Sequence, residues 1–207
     1  SKNGKNIEIK YATNGTTLGI KGGRTVHEYW PKFKSVAVNV SIDGLHDTYE
    51  YIRGNGKFAD VEYNIKEMKK IPSVSRIVGA FTVQANNILQ IDKVIDYFLR
   101  DMEIVFYSHR VNYPRALSAQ VLPEKLKQAV VVKLEAMKDK VKDYPIIQKH
   151  PVLEKITLRQ IQDNINFLQA KDLHQYWDDC VDFNRKLDET RKQGPFEKIN
   201  PEFAEYV

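Results

Sequence analysis

The sequence is poor in cysteine, in long apolar runs and in clustered positive charge. Cys180 is its single cysteine, so this chain alone can build neither a disulfide framework nor a thiolate site for a metal ion or an iron–sulfur cluster. Its apolar runs extend over only a few residues, as at 129–132, which excludes a membrane-spanning helix. Because residues 1–6 also lack the apolar region of a secretion signal, we expect a cytoplasmic protein with no membrane partner.

The charge is mildly positive and evenly distributed. Lys and Arg total 32 against 27 Asp and Glu, which gives a formal net charge of +5. The two signs are interleaved, and no basic run resembles an arm that binds nucleic acid. We therefore interpret the excess as solvated helix faces and expect no nucleic-acid partner; a phosphate-bearing partner is the alternative. The hydrophobic content of 42% is sufficient for one core.

Residues 36–43 have the alternation of a β-strand. One side is apolar and consists of Val36, Val38, Val40 and Ile42. The other side becomes more polar toward its end and consists of Ala37, Asn39, Ser41 and Asp43. Such a strand suits a parallel barrel, which covers one face with helices and places its ligands at the C-terminal ends of the strands. An antiparallel edge strand with one solvated face is the alternative that this pattern leaves open.

The neighbouring segments favour the parallel interpretation. Strands are also predicted at 6–12, 76–85 and 103–108, and amphipathic helices at 58–71 and 89–101. Alternation of strands with helices is typical of βα crossovers onto a parallel sheet. For residues 1–122 we therefore predict an α/β fold, a partial TIM-like (βα) barrel of about four parallel strands, fewer than the eight of a closed barrel.

The second half of the chain changes to helical periodicity. Helices are predicted at 124–141, 157–168 and 174–191, and Thr157 is the expected N-cap of the second of them. Trp177 and Cys180 are expected in the core. Residues 123–207 are therefore predicted to form an α-helical C-terminal cap.

Several motifs resemble those of a known family. They are T-N-G-T at 13–16, S-I-D-G at 41–44, H-D-T-Y-E-Y-I-R-G-N-G-K-F at 46–58, L-D-E-T-R-K-Q at 187–193 and N-P-E-F at 200–203. Together they resemble radical S-adenosylmethionine (radical SAM) enzymes of the branch with SPASM or twitch C-terminal extensions. The resemblance extends from the third strand of that partial barrel to the C-terminus, and its most specific part is the block 41–58. It implies an oxidoreductase, with a peptide as one candidate substrate.

The sequence departs from this family in one large respect. The family binds a 4Fe-4S cluster through a C-x-x-x-C-x-x-C loop, followed by a glycine-rich turn that binds the methionine amine, and neither motif is present. With one cysteine, this chain cannot hold the cluster or reductively cleave S-adenosylmethionine by itself. We therefore expect a fragment, truncated or split, that is inactive alone; S-adenosylmethionine and the cluster would be cofactors of the intact protein.

The resemblance implies roles for three residues within the block 41–58. Ser41 would hydrogen-bond the ribose of S-adenosylmethionine, and Arg53 would bind its carboxylate with a guanidinium fork. Asp43 would close the turn that shapes the rim. The alternative for Ser41 and Asp43 is a turn in which both satisfy local backbone donors, and the alternative for Arg53 is a surface salt bridge.

Other polar residues follow the predicted strands. Four of them would face the barrel interior, near cofactor or substrate: Asn39, Thr82, Gln84 and Asn86. A self-satisfied network of buried amides is the alternative, and it is the favoured one. His109 and Arg110 would lie at the rim as a proton donor and an anion contact, although a rim histidine is more often neither. His46 and Asp47 lack spaced partners, so no metal site is expected there.

Two functions and one assembly state are therefore predicted. The first function is the cofactor-rim and cap portion of a radical SAM oxidoreductase. The second is a non-catalytic half-barrel that binds a peptide or a nucleotide. Because the strand at 7–11 would be an open edge beside uncovered apolar surface, we also expect a homodimer.

Overall fold

The computed structural model describes residues 3–54 and 56–206; Asn55, which belongs to the quoted block 46–58, lies outside the described residues. The strands of the described part are β1 (Glu8–Thr13), β2 (Gly19–Ile20), β3 (Arg24–Thr25), β4 (Ser35–Ser41), β5 (Val74–Val83) and β6 (Val105–Arg110). Its helices are α1 (Val26–Tyr29), α2 (His46–Arg53), α3 (Phe58–Lys69), α4 (Ile91–Arg100), α5 (Glu124–Lys138), α6 (Pro145–Lys149), α7 (Val152–Ala170) and α8 (Trp177–Arg191). Short 3-10 turns connect several of them.

Four of the strands form one parallel sheet in the order β1-β4-β5-β6. Its register pairs Tyr11 with Val38 and Val40 with Gly79, and β6 continues in parallel beside β5. The prediction of four parallel strands is confirmed. The antiparallel interpretation of 36–43 is wrong, because β4 lies between two parallel neighbours. The small β2–β3 hairpin is antiparallel and lies apart from this sheet.

One face of the sheet is covered by helices α3 and α4. The alternating valines of β4 are fully buried on this face, and Gly15 lies between Val40 and Val61 of α3. Gly79 of β5 faces the ring of Phe98 in α4 so closely that a Cβ atom there would lie 2.2 Å from Cε2. Only glycine allows the helix to lie this close to the strand, so Gly79 determines where α4 packs.

The opposite face, here called the open face, is largely accessible. It includes the following alternate residues of the four strands: Ala12 of β1, Ala37, Asn39 and Ser41 of β4, Ala80 and Thr82 of β5, and Tyr107 and His109 of β6. Ala12, Asn39, Tyr107 and His109 are exposed and the other four are half-buried. Parallel sheets are usually covered on both faces, so this face is unusual for its sheet type.

The C-terminal half is helical, as predicted. Helix α7 packs against α5 and β6, and α8 with the following tail packs near the loops that follow β4 and β5. Trp177 and Cys180 are buried, as expected, and the indole Nε1 of Trp177 donates to the carbonyl of Tyr206 over 2.8 Å. Buried residues from both halves form one continuous apolar cluster.

Two local predictions need correction. Thr157 is not an N-cap, because α7 begins at Val152 and Thr157 is buried inside the helix. The glycine-punctuated segment 45–57 predicts a loop with a short helical turn, but most of it is the helix α2. Within the described ranges 3–54 and 56–206, every helix is too short or too polar to cross a membrane.

Candidate functional site

The candidate site lies where β4 and β5 end side by side. The parallel register places Ser41 beside Ala80, and the amide of Ile42 continues the ladder by donating to the carbonyl of Ala80 over 2.9 Å. The residues that follow each strand therefore emerge at the same edge of the sheet. This geometry brings Asp43, from the end of β4, to the backbone of Thr82 in β5.

Asp43 is the centre of a buried polar network. One carboxylate oxygen, Oδ1, accepts from the amide of Thr82 over 2.8 Å. The other, Oδ2, lies 2.6 Å from Nη2 of Arg53. The peptide carbonyl of Asp43 accepts from Nδ2 of Asn87 over 3.0 Å. Because the carboxylate is only 8% exposed, these partners replace the hydrogen bonds to water that it loses on burial.

Asn87 joins the two strand ends and was missed by sequence reasoning. Its amide nitrogen also donates to the carbonyl of Thr82 over 2.8 Å, and its Oδ1 accepts from the amide of Gln84 over 2.9 Å. The side chain is fully buried. In the sequence, Asn87 is marked only as the second of two adjacent asparagines that follow a predicted strand. The prediction named Asn86 alone.

Arg53 lies at the C-terminal end of α2 and is paired with a buried partner. Its side chain is 29% exposed, and its Nε is buried without a hydrogen-bond partner. The predicted alternative, a surface salt bridge, therefore describes only part of the geometry, because the carboxylate is inside. Of the guanidinium donors, Nη2 is engaged by Asp43, whereas Nε is buried without an acceptor.

Tertiary contacts hold α2 in place. Nη1 of Arg191 in α8 donates to the carbonyl of Tyr51 over 2.9 Å and to that of Ile52 over 3.3 Å, so it caps the end of α2. The hydroxyl of Tyr51 donates to Asn184 in α8. Tyr49 is fully buried and its hydroxyl has no partner; burial raises the pKa of this phenol. The helix that carries Arg53 is thus held at its C-terminal half by α8.

The other predicted site residues divide into two groups. Asn39, Ser41 and Thr82 lie together on the open face, with Asn39 exposed and the two hydroxyl residues half-buried. Gln84, just after β5, is half-buried. Asn86 is buried instead, where its Nδ2 donates to Asn184 over 2.7 Å and its carbonyl accepts from Asn200, so the amide-network alternative describes it.

Residues further from this edge have less connected surroundings. His109 is exposed on the open face, where it packs against the ring of Tyr107 at a centroid distance of 4.8 Å. Arg110 ends β6 and is half-buried. His46 begins α2 and packs against the ring of Phe58 at 4.8 Å, while Asp47 lies in the first turn of that helix.

The residues that the structure describes offer no cluster or metal site. Among them, no group of three His, Cys, Asp or Glu side chains is arranged to hold a metal ion. Cys180 is fully buried, and desolvation raises the pKa of its thiol to about 12. A neutral, inaccessible thiol does not suit a thiolate ligand, so a 4Fe-4S cluster does not fit the described part of this chain.

Compared with family models and with curated protein sequences, the chain matches none at a significant level.

Proposed function

We propose that the chain is the half-barrel rim and cap of a radical SAM enzyme of the SPASM or twitch branch. The main observation that supports this proposal is the open face, on which Asn39, Ser41 and Thr82 lie beside the Asp43–Arg53 pair. Each strand of the sheet neighbours the next one along the chain, apart from the small β2–β3 hairpin, and α3 and α4 pack on the same face. Doubly wound sheets reverse their strand order and place helices on both faces. A segment of a (βα) barrel keeps its strands in sequential order and has its helices on one face.

In this proposal the rim residues bind S-adenosylmethionine from one side. Ser41 would reach the ribose, and the free donors of Arg53 would reach the carboxylate, while Asp43 holds the guanidinium in position. Asn39, Thr82 and Gln84 would line the same edge. A reduced cluster would supply the electron that cleaves S-adenosylmethionine, and the cysteines for that cluster would come from a sequence other than the one described. A peptide is one candidate substrate.

Calorimetry with S-adenosylmethionine tests this site on the chain itself. We expect a measurable heat of binding that Ser41→Ala and Arg53→Gln each reduce by about tenfold in affinity. Ser35→Ala is the matched control, because Ser35 lies on the same strand and the same face at the opposite end. Equal losses for Ser35→Ala and Ser41→Ala, or an unchanged affinity after Arg53→Gln, would contradict the proposed rim.

A second test addresses the catalytic role. A polypeptide that joins a cluster-binding cysteine loop to this chain should show cluster absorbance after anaerobic reconstitution. With S-adenosylmethionine and dithionite as the electron donor, it should release 5′-deoxyadenosine. Ser41→Ala in that polypeptide should lower the yield without changing the cluster absorbance. Absence of 5′-deoxyadenosine despite a complete cluster would refute the enzymatic reading.

One observation favours a binding module without chemistry as the second candidate. Asp43 already neutralises Arg53 over 2.6 Å, so a ligand carboxylate would have to share the guanidinium. A half-barrel that binds a peptide or nucleotide on its open face would not need Arg53. Such a module should give no heat with S-adenosylmethionine in the wild type or in either rim variant.

The proposed homodimer is supported by the edge strand β1. Ile7, just before it, is 42% exposed, and Tyr11 within it is 46% exposed. Unpaired backbone groups and accessible apolar side chains at one edge favour association. Sedimentation should show a dimer that Tyr11→Lys weakens by at least about tenfold. A clean monomer at high protein concentration would contradict the dimer.

A further inference from the structure

A groove of about 620 Å³ separates the end of β6 from helix α7. It lies at the other edge of the sheet from β1. The residues that matter for its chemistry are Arg110, Asn112, Ile156, Arg159, Gln160 and Asp163. The volume lies in the range of small-molecule sites, and most of these side chains are polar.

Arg110 is the unusual member of this wall. It is half-buried at the end of β6, and its Nη1 is buried with no hydrogen-bond partner. A guanidinium N–H that has lost water and gained no acceptor is costly to the folded protein. An acceptor oxygen from a ligand in the groove would remove that cost.

Arg159 adds a second positive charge from α7. Its side chain is 81% exposed, and its Nε lies 4.0 Å from Oδ2 of Asp163, which is the outer limit of an ion pair. The guanidinium is therefore only weakly engaged and can turn toward a ligand. Two arginines against one aspartate leave the groove with a positive charge.

Gln160, on the α7 side of the groove, is held in place by hydrogen bonds to β6. Oε1 of Gln160 accepts from the amide of Ser108 over 2.9 Å and from its hydroxyl over 3.0 Å. This contact blocks the outer edge of β6 at Ser108, so addition of a peptide strand is disfavoured there. The groove is suited to a compact ligand that is held by side chains.

We propose that this groove binds the oxyanion of a small phosphate or carboxylate ligand, with Arg110 as its main contact and Arg159 as a second cation. The planar guanidinium matches both kinds of oxyanion with paired donors. This site differs from the rim proposed above, because its two arginines belong to β6 and α7 rather than to the ends of β4 and β5.

Calorimetry on the full chain tests the groove with two probes, inorganic phosphate and succinate, against sodium chloride of equal ionic strength. We expect saturable binding of at least one probe and none of chloride; the probe that binds identifies the phosphoryl or carboxylate class. Arg110→Gln should weaken binding by about tenfold and Arg159→Gln by about threefold. Asp163→Asn should strengthen it by about twofold, because it removes a repelling charge.

Arg100→Gln is the control variant, since Arg100 lies on α4 and pairs with Asp96 outside the groove; it should leave affinity unchanged. Arg110→Lys retains the charge but loses the fork, and should bind between wild type and Arg110→Gln. If Arg110→Gln does not fold, Arg110→Lys and Asp163→Asn carry the test. The proposal is overturned if neither probe saturates, if the Arg110 variants bind like wild type, or if Asp163→Asn does not strengthen binding.

Discussion

The Asp43–Arg53 pair should stabilise the fold far more than an exposed ion pair does. Truncating one partner of a buried pair costs about 3–5 kcal/mol, but Arg53 is 29% exposed, so water compensates part of the loss. For Asp43→Ala we therefore expect a decrease in the free energy of unfolding of about 2–3 kcal/mol, which includes the lost bond to the amide of Thr82. Arg53→Ala should cost about 2 kcal/mol, because the buried carboxylate then keeps only the backbone amide of Thr82 as a donor.

A double-mutant cycle isolates the interaction between the two side chains. We expect a coupling energy of about 1.5 kcal/mol for Asp43 and Arg53. The matched control is the pair of Glu8 and Lys34, which has a similar distance of 2.8 Å but side chains that are 62% and 60% exposed. Its coupling should be much smaller, because both side chains are fully solvated.

Urea unfolding followed by circular dichroism gives these free energies by linear extrapolation. Asp43→Asn adds a further check, because it keeps an oxygen acceptor for Thr82 while removing the charge, and should cost less than Asp43→Ala. High salt should reduce the coupling of Glu8 and Lys34 more than that of the buried pair. A coupling for Asp43 and Arg53 within error of the control would refute the reasoning.

Three further predictions concern packing and accessibility. Gly79→Ala should lower the free energy of unfolding by about 2 kcal/mol because its Cβ would overlap a ring of α4, whereas Gly194→Ala, whose nearest contact would be 3.7 Å away, should change it little in the same urea assay. Cys180 should react slowly with a thiol reagent at pH 8 in the folded protein and rapidly in urea, since burial raises its pKa to about 12; equal rates would contradict this burial. Arg191→Gln should remove the cap of α2 and increase hydrogen exchange in that helix but not in α4, an effect that Arg185→Gln on the exposed side of α8 should not reproduce.

The sheet was predictable because the alternation of apolar and polar residues along a strand, and the positions of its glycines, are local features of the sequence. Val36, Val38 and Val40 alternate with small and polar residues, and burial of a single face follows directly from that period. Strand boundaries moved by one or two residues, as at 103–108, which is observed as Val105–Arg110. The parallel direction followed from the helices between the strands and not from the strands themselves.

The site was only partly predictable because its contacts are distant in sequence. The network of Asp43 depends on Asn87, which is 44 residues away, and α2 is fixed by Arg191, which is 140 residues from Tyr51. The segment of α2 has no side-chain cap at its N-terminus, so its sequence alone did not predict a helix of this length. Tertiary contacts thus supply what local propensity lacks.

Arg53 bears on the choice between the two proposed functions. A purely structural arginine is expected to have its buried donors satisfied, and Asp43 could in principle have taken two of them in a fork. Instead Asp43 binds Nη2, while the buried Nε has no acceptor. The pair therefore holds the guanidinium at the sheet edge and leaves part of its binding capacity unused. Because the side chain as a whole is still 29% exposed, the accessible part of the guanidinium could contact an anionic ligand, which the rim proposal requires and a half-barrel in which Arg53 only stabilises the fold does not.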